Sequence, residues 1–322
     1  MNVLLTSSGR RTSLLMAFKK AVQKKNGKVF AGDIDGLAPS LYVADEAIKL
    51  PRITDDSYID FLLNLVAEKG IKLIVPTIDT ELPMLAANNT SFLELGCMVA
   101  TSDIGFVKVC QDKWVTVEYF SKAGIRVPTS WLPDNYEGVP NEIFIKPRNG
   151  SASINTFKTA KQELQQIISR VPNAIIQEYL PYDEITVDAL MDFSGNLIHY
   201  VPRIRIRTVG GESIQGCTVS DLALRPFLLK LFDQIKNLGG KGPATVQIFL
   251  SPEGPILSEI NPRFGGGFPL GLAAGGNYPE WLVRMVEGKT VESMVGQYQV
   301  GLYMTRYYSE IITETPFWSE QY

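Results

Sequence analysis

Residues 257–267 read LSEINPRFGGG and place a carboxylate, an amide and a guanidinium within one short segment. Side chains two positions apart in a β-strand point the same way, so Glu259 and Asn261 are expected to present oxygen atoms on one face. The opposite face is expected to carry Ile256, Ser258 and Ile260. Paired oxygen donors suit Mg²⁺, which takes a few protein oxygens and completes its shell with water and phosphate. The segment therefore predicts a metal site on a strand.

The preceding stretch, Thr245–Leu250, is predicted to pair with this strand as a β-hairpin across a Ser-Pro-Glu-Gly turn. With that turn centred on its Glu, Gln247 lies opposite Glu259. Cross-strand partners share a face, so Gln247, Glu259 and Asn261 are expected to converge on one site. Beside them we expect Leu257 and Phe249. A register slip of one residue would break this convergence.

The end of this strand suggests an anion-binding role. Pro262 stops the hydrogen-bond ladder, and Arg263 lies just beyond, where a forked cation can hold phosphate. Two roles are open for Glu259, a structural salt bridge with Arg263 or a ligand site. A Glu and an Asn on a strand otherwise rich in Ile and Leu cost free energy if they bind nothing, which favours the ligand site.

The composition is that of an ordinary globular protein. Of 322 residues, 45% are hydrophobic and 20% charged, and a net charge of −3 gives no basic field for nucleic acid or an anionic membrane. Apolar runs stay below the roughly 18 residues of a membrane-spanning helix. The three cysteines form no CxxC pair, which argues against a disulfide framework or zinc site. With no signal-peptide pattern at the start, we expect a cytoplasmic protein.

The first 110 residues predict a parallel α/β sheet. A strand at 2–6, a helix carrying Leu14 and Phe18, and a strand at 28–32 form a βαβ opening, with Thr12 or Ser13 as helix cap. The first turn has one glycine, so a nicotinamide cofactor is not expected. Asp33 or Asp35 stands where such sheets bind ligands, with a cap or turn role as the alternative. A helix at 56–69 and a strand at 71–76 follow.

The polar loop Thr77–Glu81 follows that strand, and two roles are open for it. Its Thr and Asp residues suit capping, while a substrate-facing role is the alternative. A first domain is expected to close near residues 105–109.

A second landmark is the strand Ile143–Lys146, after which the chain reads PRNGSAS. Lys146 shares a strand face with Phe144, and the small polar residues 148–153 can turn backbone N–H groups toward an anion. The bland alternative is a lysine that merely ends a strand. A helix at 111–124 precedes this landmark, and a helix at 159–171 and a strand at 174–180 follow it.

The last third predicts antiparallel strands and one long helix. Arg203, Arg205 and Arg207 recur at period two on a strand predicted over 197–207, as either solvated edge-strand charge or a substrate or phosphate groove. A flexible loop is expected at residues 210–212. The helix predicted at 220–238 is expected to bury the side chains of Leu222, Leu228, Leu229, Phe232 and Ile235. His199, the one histidine, is expected to be structural.

Together these motifs resemble the ATP-grasp superfamily, and most closely one synthetase module of the carbamoyl-phosphate synthetase large subunit. The resemblance covers nearly the whole chain. It rests on the opening strand with its Ser-Ser-Gly-Arg-Arg turn, Ile145-Lys146-Pro147, Gln177-Glu178-Tyr179-Leu180, Glu184, Val246-Gln247 and Glu259-Ile260-Asn261-Pro262-Arg263. That synthetase joins two such modules and uses a glutaminase partner, whereas this chain has one module.

The resemblance implies an α/β (α+β) fold: an N-terminal parallel-sheet pre-ATP-grasp domain at 1–109, then two α+β subdomains that enclose the nucleotide. These are a lid subdomain at 110–181 and a C-terminal subdomain with the metal site at 182–322. It also implies the site residues. Lys113 and Lys146 would contact the ATP phosphates, and Glu178, Tyr179 and Leu180 would form the hinge that reads adenine through the backbone. Gln177 would also bind the nucleotide, and Glu184 would bind the ribose. Around Mg²⁺, with Mn²⁺ as the alternative, would stand Gln247, Glu259 and Asn261.

The implied chemistry is ligation of a small-molecule carboxylate to an amine through an acyl phosphate. Arg263 and Lys146 would be the catalytic residues, and Arg205 and Arg207 would contact the substrate. Two alternatives are open, a carbamoyl-phosphate-synthetase-like subunit that needs a partner chain and a nucleotide-binding module without turnover. The carboxylate, the nucleophile, the oligomeric state and closure of a lid with a single loop glycine cannot be read from the sequence.

Overall fold

A computed structural model describes residues 1–150, 154–209 and 212–319. The chain forms three sheets in sequence order, with five, four and six strands among the described residues. The predictions for the phosphate-loop residues 151–153 and for Gly210 and Gly211 lie outside the described residues. Across the described residues, no helix is both long and apolar enough to cross a membrane.

The first sheet is parallel, with the strand order β3-β2-β1-β4-β5. Its strands are β1 (Asn2–Thr6), β2 (Val29–Asp33), β3 (Glu46–Lys49), β4 (Ile71–Pro76) and β5 (Met98–Val99). Its helices are α1 (Thr12–Gln23), α2 (Pro39–Val43), α3 (Tyr58–Lys69), α4 (Leu82–Ala87) and α5 (Asn89–Glu94). Val3 and Leu5 pack with α1 while Leu4 packs with α3, so both faces are buried, as expected for a parallel sheet. The expected side-chain cap of α1 is wrong, since Arg11 precedes the helix without capping it.

The second sheet is antiparallel, with the order β6-β9-β7-β8. Two helices precede it, α6 (Ile104–Gln111) and α7 (Lys113–Lys122). Its own elements are β6 (Ser130–Trp131), β7 (Glu142–Pro147), β8 (Phe157–Ala160), α8 (Leu164–Ile168) and β9 (Ala174–Glu178). The helix predicted at 159–171 is therefore too long, because Thr159 and Ala160 continue the pairing with β7.

The third sheet is antiparallel, with the order β14-β13-β10-β11-β12-β15. Its strands are β10 (Glu184–Met191), β11 (Leu197–Val209), β12 (Glu212–Thr218), β13 (Gly242–Ser251), β14 (Gly254–Asn261) and β15 (Tyr303–Thr305). Its helices are α9 (Arg225–Asn237), α10 (Phe268–Ala273) and α11 (Tyr278–Val286). Helix α9 starts five residues later than predicted, and Leu222 and Leu229 are 77% and 46% exposed instead of buried.

The faces of the third sheet separate core from cleft. Along β10, Ile185, Val187 and Ala189 pack into the core beneath α9. The alternate residues Glu184, Thr186 and Asp188 face the opposite way, toward the other sheets. Beyond β14, Phe264 and Phe268 join the core of the first domain, which ties the two parts together.

This architecture confirms the predicted fold class, a parallel-sheet domain followed by two α+β parts. Each of the three predicted segments, 1–109, 110–181 and 182–322, contains one sheet. The domain limits themselves stay a prediction.

Candidate active site

A cleft of about 1130 Å³ lies between the three sheets. The loop after β4 contributes Asp79, the second sheet contributes Lys146, and the third contributes Glu184 and Glu259. All predicted site residues except Arg207 are among its lining residues. The structure thus brings together side chains as distant in sequence as Asp79 and Arg263, which are 184 positions apart.

The hairpin of β13 and β14 has the predicted register at the metal site. Gln247 pairs with Glu259 and Thr245 with Asn261. Within the described residues, the side chains of Gln247, Glu259 and Asn261 have no hydrogen-bond or ion-pair partner, and all three line the cleft. Free carboxylate and amide oxygens on one strand-pair face form a donor set that fits Mg²⁺.

A β-bulge at Ser258 corrects two details of that prediction. Ile248 pairs with Leu257 although Gln247 pairs with Glu259, so Ser258 is an extra residue in β14. Leu257 consequently lies in the core with Ile260, and Ser258 lines the cleft beside Glu259. The prediction that Leu257 lies beside the metal site was wrong, and so was the prediction that Ser258 lies on the opposite face.

Lys146 enters the cleft from the second sheet. On β7, Ile143 and Ile145 are fully buried in the small core, and Phe144 and Lys146 line the cleft, as the alternation predicted. Lys146 is 9% exposed, and its ammonium lies 5.8 Å from the centre of the Phe144 ring. Burial lowers the pKa of Lys146 to about 8, although the carboxylate of Glu259 opposes that shift. This cation can therefore lose its proton near physiological pH.

Lys113 contacts the start of the predicted phosphate loop. It is the first residue of α7, and the side chain of Asp112 caps that helix by accepting from the N–H of Trp114 at 2.9 Å. Nζ of Lys113 donates to the carbonyl of Gly150 at 2.8 Å. Arg148 also pairs with Asp112, at 2.6 Å, so a second contact joins the segment after β7 to the start of α7. The helix begins two residues later than predicted.

The predicted hinge lies at the end of β9. The carboxylate of Glu178 accepts from the backbone N–H of Thr129 at 2.7 Å, and Gln177 donates to the Ser130 hydroxyl at 2.9 Å. These side chains are tied to the neighbouring strand rather than free for a ligand. The strand ends at Glu178, two residues earlier than expected, and the cleft is lined onward by Tyr179 and Leu180.

Two arginines of β11 are paired with carboxylates of β10. Arg205 forms an ion pair with Glu184, and Arg203 pairs with Asp188 at 2.7 Å. Burial raises the pKa of Glu184 despite the opposing charge of Arg205. Arg207 is exposed, because the register shifts between Arg205 and Arg207 and interrupts the alternation. The expected single arginine face is therefore wrong.

Arg263 reaches into the first domain. Its guanidinium pairs with the carboxylate of Asp79 at 2.5 Å, so the salt bridge considered for Glu259 is wrong. The loop after β4 thus faces the cleft, which a capping role alone does not explain. The sequence analysis also missed the remaining charged residues at this end, Arg11, Glu212 and Arg306. The Gly-Arg-Arg turn after β1 was the signal for the first of them.

Two other predicted positions have structural roles. The carboxylate of Asp33 accepts from the N–H groups of Gly9 at 2.7 Å and Asp35 at 3.0 Å, which is the turn role. His199 is buried, and its ring nitrogens lie 3.1 Å from the Tyr278 hydroxyl and 3.0 Å from the Gln297 carbonyl.

Two parts of the chain match known protein families. The family "PylC-like, N-terminal domain" matches residues 3–100, and "ATP-grasp in the biosynthetic pathway with Ter operon" matches residues 170–307. The ATP-grasp resemblance predicted from the motifs is thus confirmed by the family match over residues 170–307. No curated protein matches this chain in sequence. The similarity to a carbamoyl-phosphate synthetase module in particular stays a prediction.

Solved structures share the ATP-grasp fold over most of the chain. The biotin carboxylase domain of Hydrogenobacter thermophilus 2-oxoglutarate carboxylase, solved with MgADP, ADP and bicarbonate, has a TM-score of 0.75 at 16% identity, covering 94% of this chain and 73% of that one. An L-amino acid ligase from Bacillus licheniformis has a TM-score of 0.69 at 15% identity, covering 88% of this chain and 73% of that one. N5-carboxyaminoimidazole ribonucleotide synthetase from Thermotoga maritima has a TM-score of 0.66 at 18% identity, covering 91% of this chain and 77% of that one. At these identities the likeness supports the fold alone.

Proposed function

We propose that this chain is an ATP- and Mg²⁺-dependent ligase that joins a small-molecule carboxylate to an amine through an acyl phosphate. One observation carries the proposal. The partner-free oxygens of Gln247, Glu259 and Asn261 line the same cleft as the buried ammonium of Lys146, within an ATP-grasp fold. Oxygen donors and a cation in one cleft suit a metal-bound polyphosphate.

The nucleotide would lie along the second sheet. Lys146 and Lys113 would neutralise phosphate oxygens, and the backbone at Tyr179 and Leu180 would read the base, since the nearby side chain of Glu178 is engaged by Thr129. Glu184 would accept ribose hydroxyls, with its carboxylate held in place by Arg205.

The metal would be held by Gln247, Glu259 and Asn261, and when bound it would offset the negative charge that builds up on the transferring phosphoryl group. The single carboxylate among these donors leaves the site needing phosphate oxygens to complete it. Mn²⁺ in the same position stays a prediction.

Arg263 would act on the reacting groups themselves. An oxygen of the carboxylate substrate attacks the γ-phosphorus of ATP, the bond to the β-phosphate oxygen breaks, and ADP leaves. The amine then attacks the acyl carbon, phosphate departs, and the amine loses a proton. The guanidinium of Arg263, fixed by Asp79 at 2.5 Å, would stabilise charge on both the phosphoryl group and the acyl phosphate.

The named neighbours make the ligase class reasonable for this chain. One was solved with MgADP and bicarbonate, and the other two are named as a ligase and a synthetase. A carbamoyl-phosphate-synthetase-like subunit is the alternative, and it would show turnover only with a partner chain.

The test is a screen for ADP release over carboxylates paired with amines. We expect release that depends on both substrates and is lost in the double variant Glu259→Gln, Asn261→Ala. The matched control is Glu253→Gln, at the exposed tip of the same hairpin, where the carboxylate pairs only with surface Arg126 at 2.9 Å. Undiminished turnover in the double variant would reject the metal assignment, and tight ATP binding with no ADP from any pair would favour a binding module.

A further inference from the structure

The end of the cleft nearest the first domain contains an excess of positive charge. Two arginines that line this end have a carboxylate partner, Arg203 with Asp188 and Arg263 with Asp79, and Arg306 beside the cleft pairs with Glu212. A fourth, Arg11, lines the cleft, and its guanidinium has no hydrogen-bond or ion-pair partner among the described residues. Arg11 is the cation left without a counter-charge.

The surroundings of Arg11 make that lack of a partner costly. Burial lowers the pKa of Arg11, and the neighbouring cations Arg263 and Arg306 lower it further. The nearest carboxylates, Glu212 and Asp79, act in the other direction, but each already holds another arginine. A partly buried guanidinium beside two like charges is stabilised by binding an anion.

A second unsatisfied donor lies in the same cleft. Arg203 is 2% exposed, and Asp188 accepts from its Nε and Nη2, which leaves Nη1 buried without a partner. Buried guanidinium N–H groups almost always have an acceptor, so an empty one that lines a cleft indicates a missing ligand oxygen.

Adjacent glycines of the run after β14 lie against the two guanidiniums. A Cβ on Gly267 would stand 2.3 Å from Cζ of Arg203, and a Cβ on Gly266 would stand 3.2 Å from Nη1 of Arg11. The missing side chain at Gly267 lets the buried Arg203 lie against this backbone, and the one at Gly266 leaves room for Arg11. The carbonyl of Gly266 also accepts from Arg306.

Different charges surround Arg11 and Lys146. The charges that act on Arg11 are those of Arg263, Glu212, Arg306 and Asp79. Those that act on Lys146 are Glu259, Lys113 and Glu184. Arg11 therefore faces a different set of charged side chains from the lysine that we assign to ATP.

We propose that Arg11 and the free Nη1 of Arg203 form an anion subsite for the acceptor, so that the ligated carboxylate substrate carries a second anionic group. This inference rests on the proposed function, since it assigns the substrate class of the same site. A guanidinium fork accepts either a carboxylate or a phosphate-type group. The substrate is thus a dicarboxylate-type acid or an acid with a phosphate-type group, not a simple monocarboxylate.

The experiment measures binding by calorimetry, with and without MgADP. The probes are pentanoate, glutarate and phosphonobutyrate, which share a similar chain and differ in the second group. We expect glutarate or phosphonobutyrate to bind the wild-type protein at least about tenfold more tightly than pentanoate, as for one charge-assisted hydrogen-bonding group. Which of the two binds better identifies the source of the anion.

The variants test whether Arg11 is responsible. Arg11→Ala should lose that tenfold preference and keep its affinity for MgADP, while Arg10→Ala, which alters the exposed neighbouring arginine, should bind every probe as wild type does. Arg11→Lys keeps the charge but not the fork and should retain an intermediate preference, which guards against a misfolded alanine variant.

Two outcomes would overturn the subsite: no preference of the wild-type protein for either two-group acid, or the same preference in Arg11→Ala. Failure of the proposed function looks different. There the wild-type protein would not bind MgADP, while the titrations without nucleotide would still report on Arg11.

Discussion

In the proposed function, the charge state of Lys146 decides phosphate binding. Its pKa of about 8 in the free protein comes mainly from burial, and a bound polyphosphate favours the charged form. Because only the protonated side chain would bind the phosphates, we expect full affinity below about pH 8 and a decline as pH rises above it. We expect the Kd for MgADP to rise about tenfold per pH unit above that value.

The comparison variant is Lys146→Arg, whose guanidinium keeps its proton throughout this range. The Kd for MgADP would be measured by fluorescence or calorimetry from roughly pH 7 to pH 9.5. It should rise with pH in the wild-type protein and stay constant in the variant. A flat wild-type profile would show that Lys146 does not contact the phosphates.

The arginines of β11 now separate into different roles. Arg205 is in the cleft and paired with Glu184, whereas Arg207 is exposed beyond the register shift. We expect Arg205→Ala to weaken MgADP binding by about tenfold, because it leaves Glu184 without its partner. Arg207→Ala should bind MgADP as the wild type does. Equal losses in both variants, measured by the same titration, would contradict this division.

At the scale of elements, the short turn that follows β4 is anchored by a buried carboxyl group. Glu81 accepts from Thr6 of β1 at 2.9 Å and from the hydroxyl of Tyr58 in α3. Burial raises the pKa of Glu81 to about 7 from its ordinary value of 4.5, although both hydrogen bonds oppose the shift. The folded protein therefore binds this proton more tightly than the unfolded chain.

The sign of the pH effect follows from that difference. The contribution of Glu81 is fully present below pH 4.5 and is lost as pH rises through about 7. The loss is about 3 kcal/mol for a shift of this size. The free energy of unfolding, measured by chemical denaturation between these pH values, should fall less with rising pH in Glu81→Gln than in the wild-type protein. A wild-type and a variant curve with the same slope would contradict the buried, proton-binding role.

The glycine run after β14 provides a second test at this scale. Gly267→Ala would place a Cβ 2.3 Å from the Arg203 guanidinium, so the loop or the arginine must move. We expect a loss of about 1–3 kcal/mol in the free energy of unfolding. Gly105→Ala in α6 is the control, since a Cβ there meets nothing within 4 Å. Equal unfolding free energies in the two variants would contradict the close packing at Gly267.

The elements also show what the sequence could and could not predict. Alternation in β7 correctly set Lys146 beside Phe144, and the hairpin register correctly joined Gln247 to Glu259. Alternation failed at Ser258 and near Arg205, because a bulge shifts the register by one residue. At the Ser258 bulge the sequence did contain a sign of the shift, because apolar Leu257 occupies the position that alternation assigns to the polar face.

At the scale of the whole molecule, the cleft depends on contacts between distant parts of the chain. Asp79 in the first domain holds Arg263 from the third sheet, and α11 packs on α1. Such pairings depend on how three sheets are placed together, which local periodicity does not report. The group of arginines around Arg11 could not be read from sequence for the same reason.

The pair of Asp79 and Arg263 tests that long-range contact. Both side chains are largely shielded from water, at 23% and 13% exposure. Asp79→Ala leaves a buried cation unpaired and should lower the free energy of unfolding by about 2 kcal/mol. The same substitution made in the Arg263→Ala variant should cost less, because no cation is then left unpaired. A double-mutant cycle by denaturation measures this, and additive losses would show that the contact does not couple the two parts.

The central claim is that the carboxylate substrate attacks ATP directly to form an acyl phosphate. The most direct measurement uses the carboxylate found by the ADP-release screen, labelled with heavy oxygen in its carboxyl group, followed by mass spectrometry of the phosphate produced. We predict one heavy oxygen in each phosphate released, because the bridging oxygen of the acyl phosphate leaves with phosphorus when the amine attacks. Unlabelled phosphate accompanied by product formation would contradict the claim.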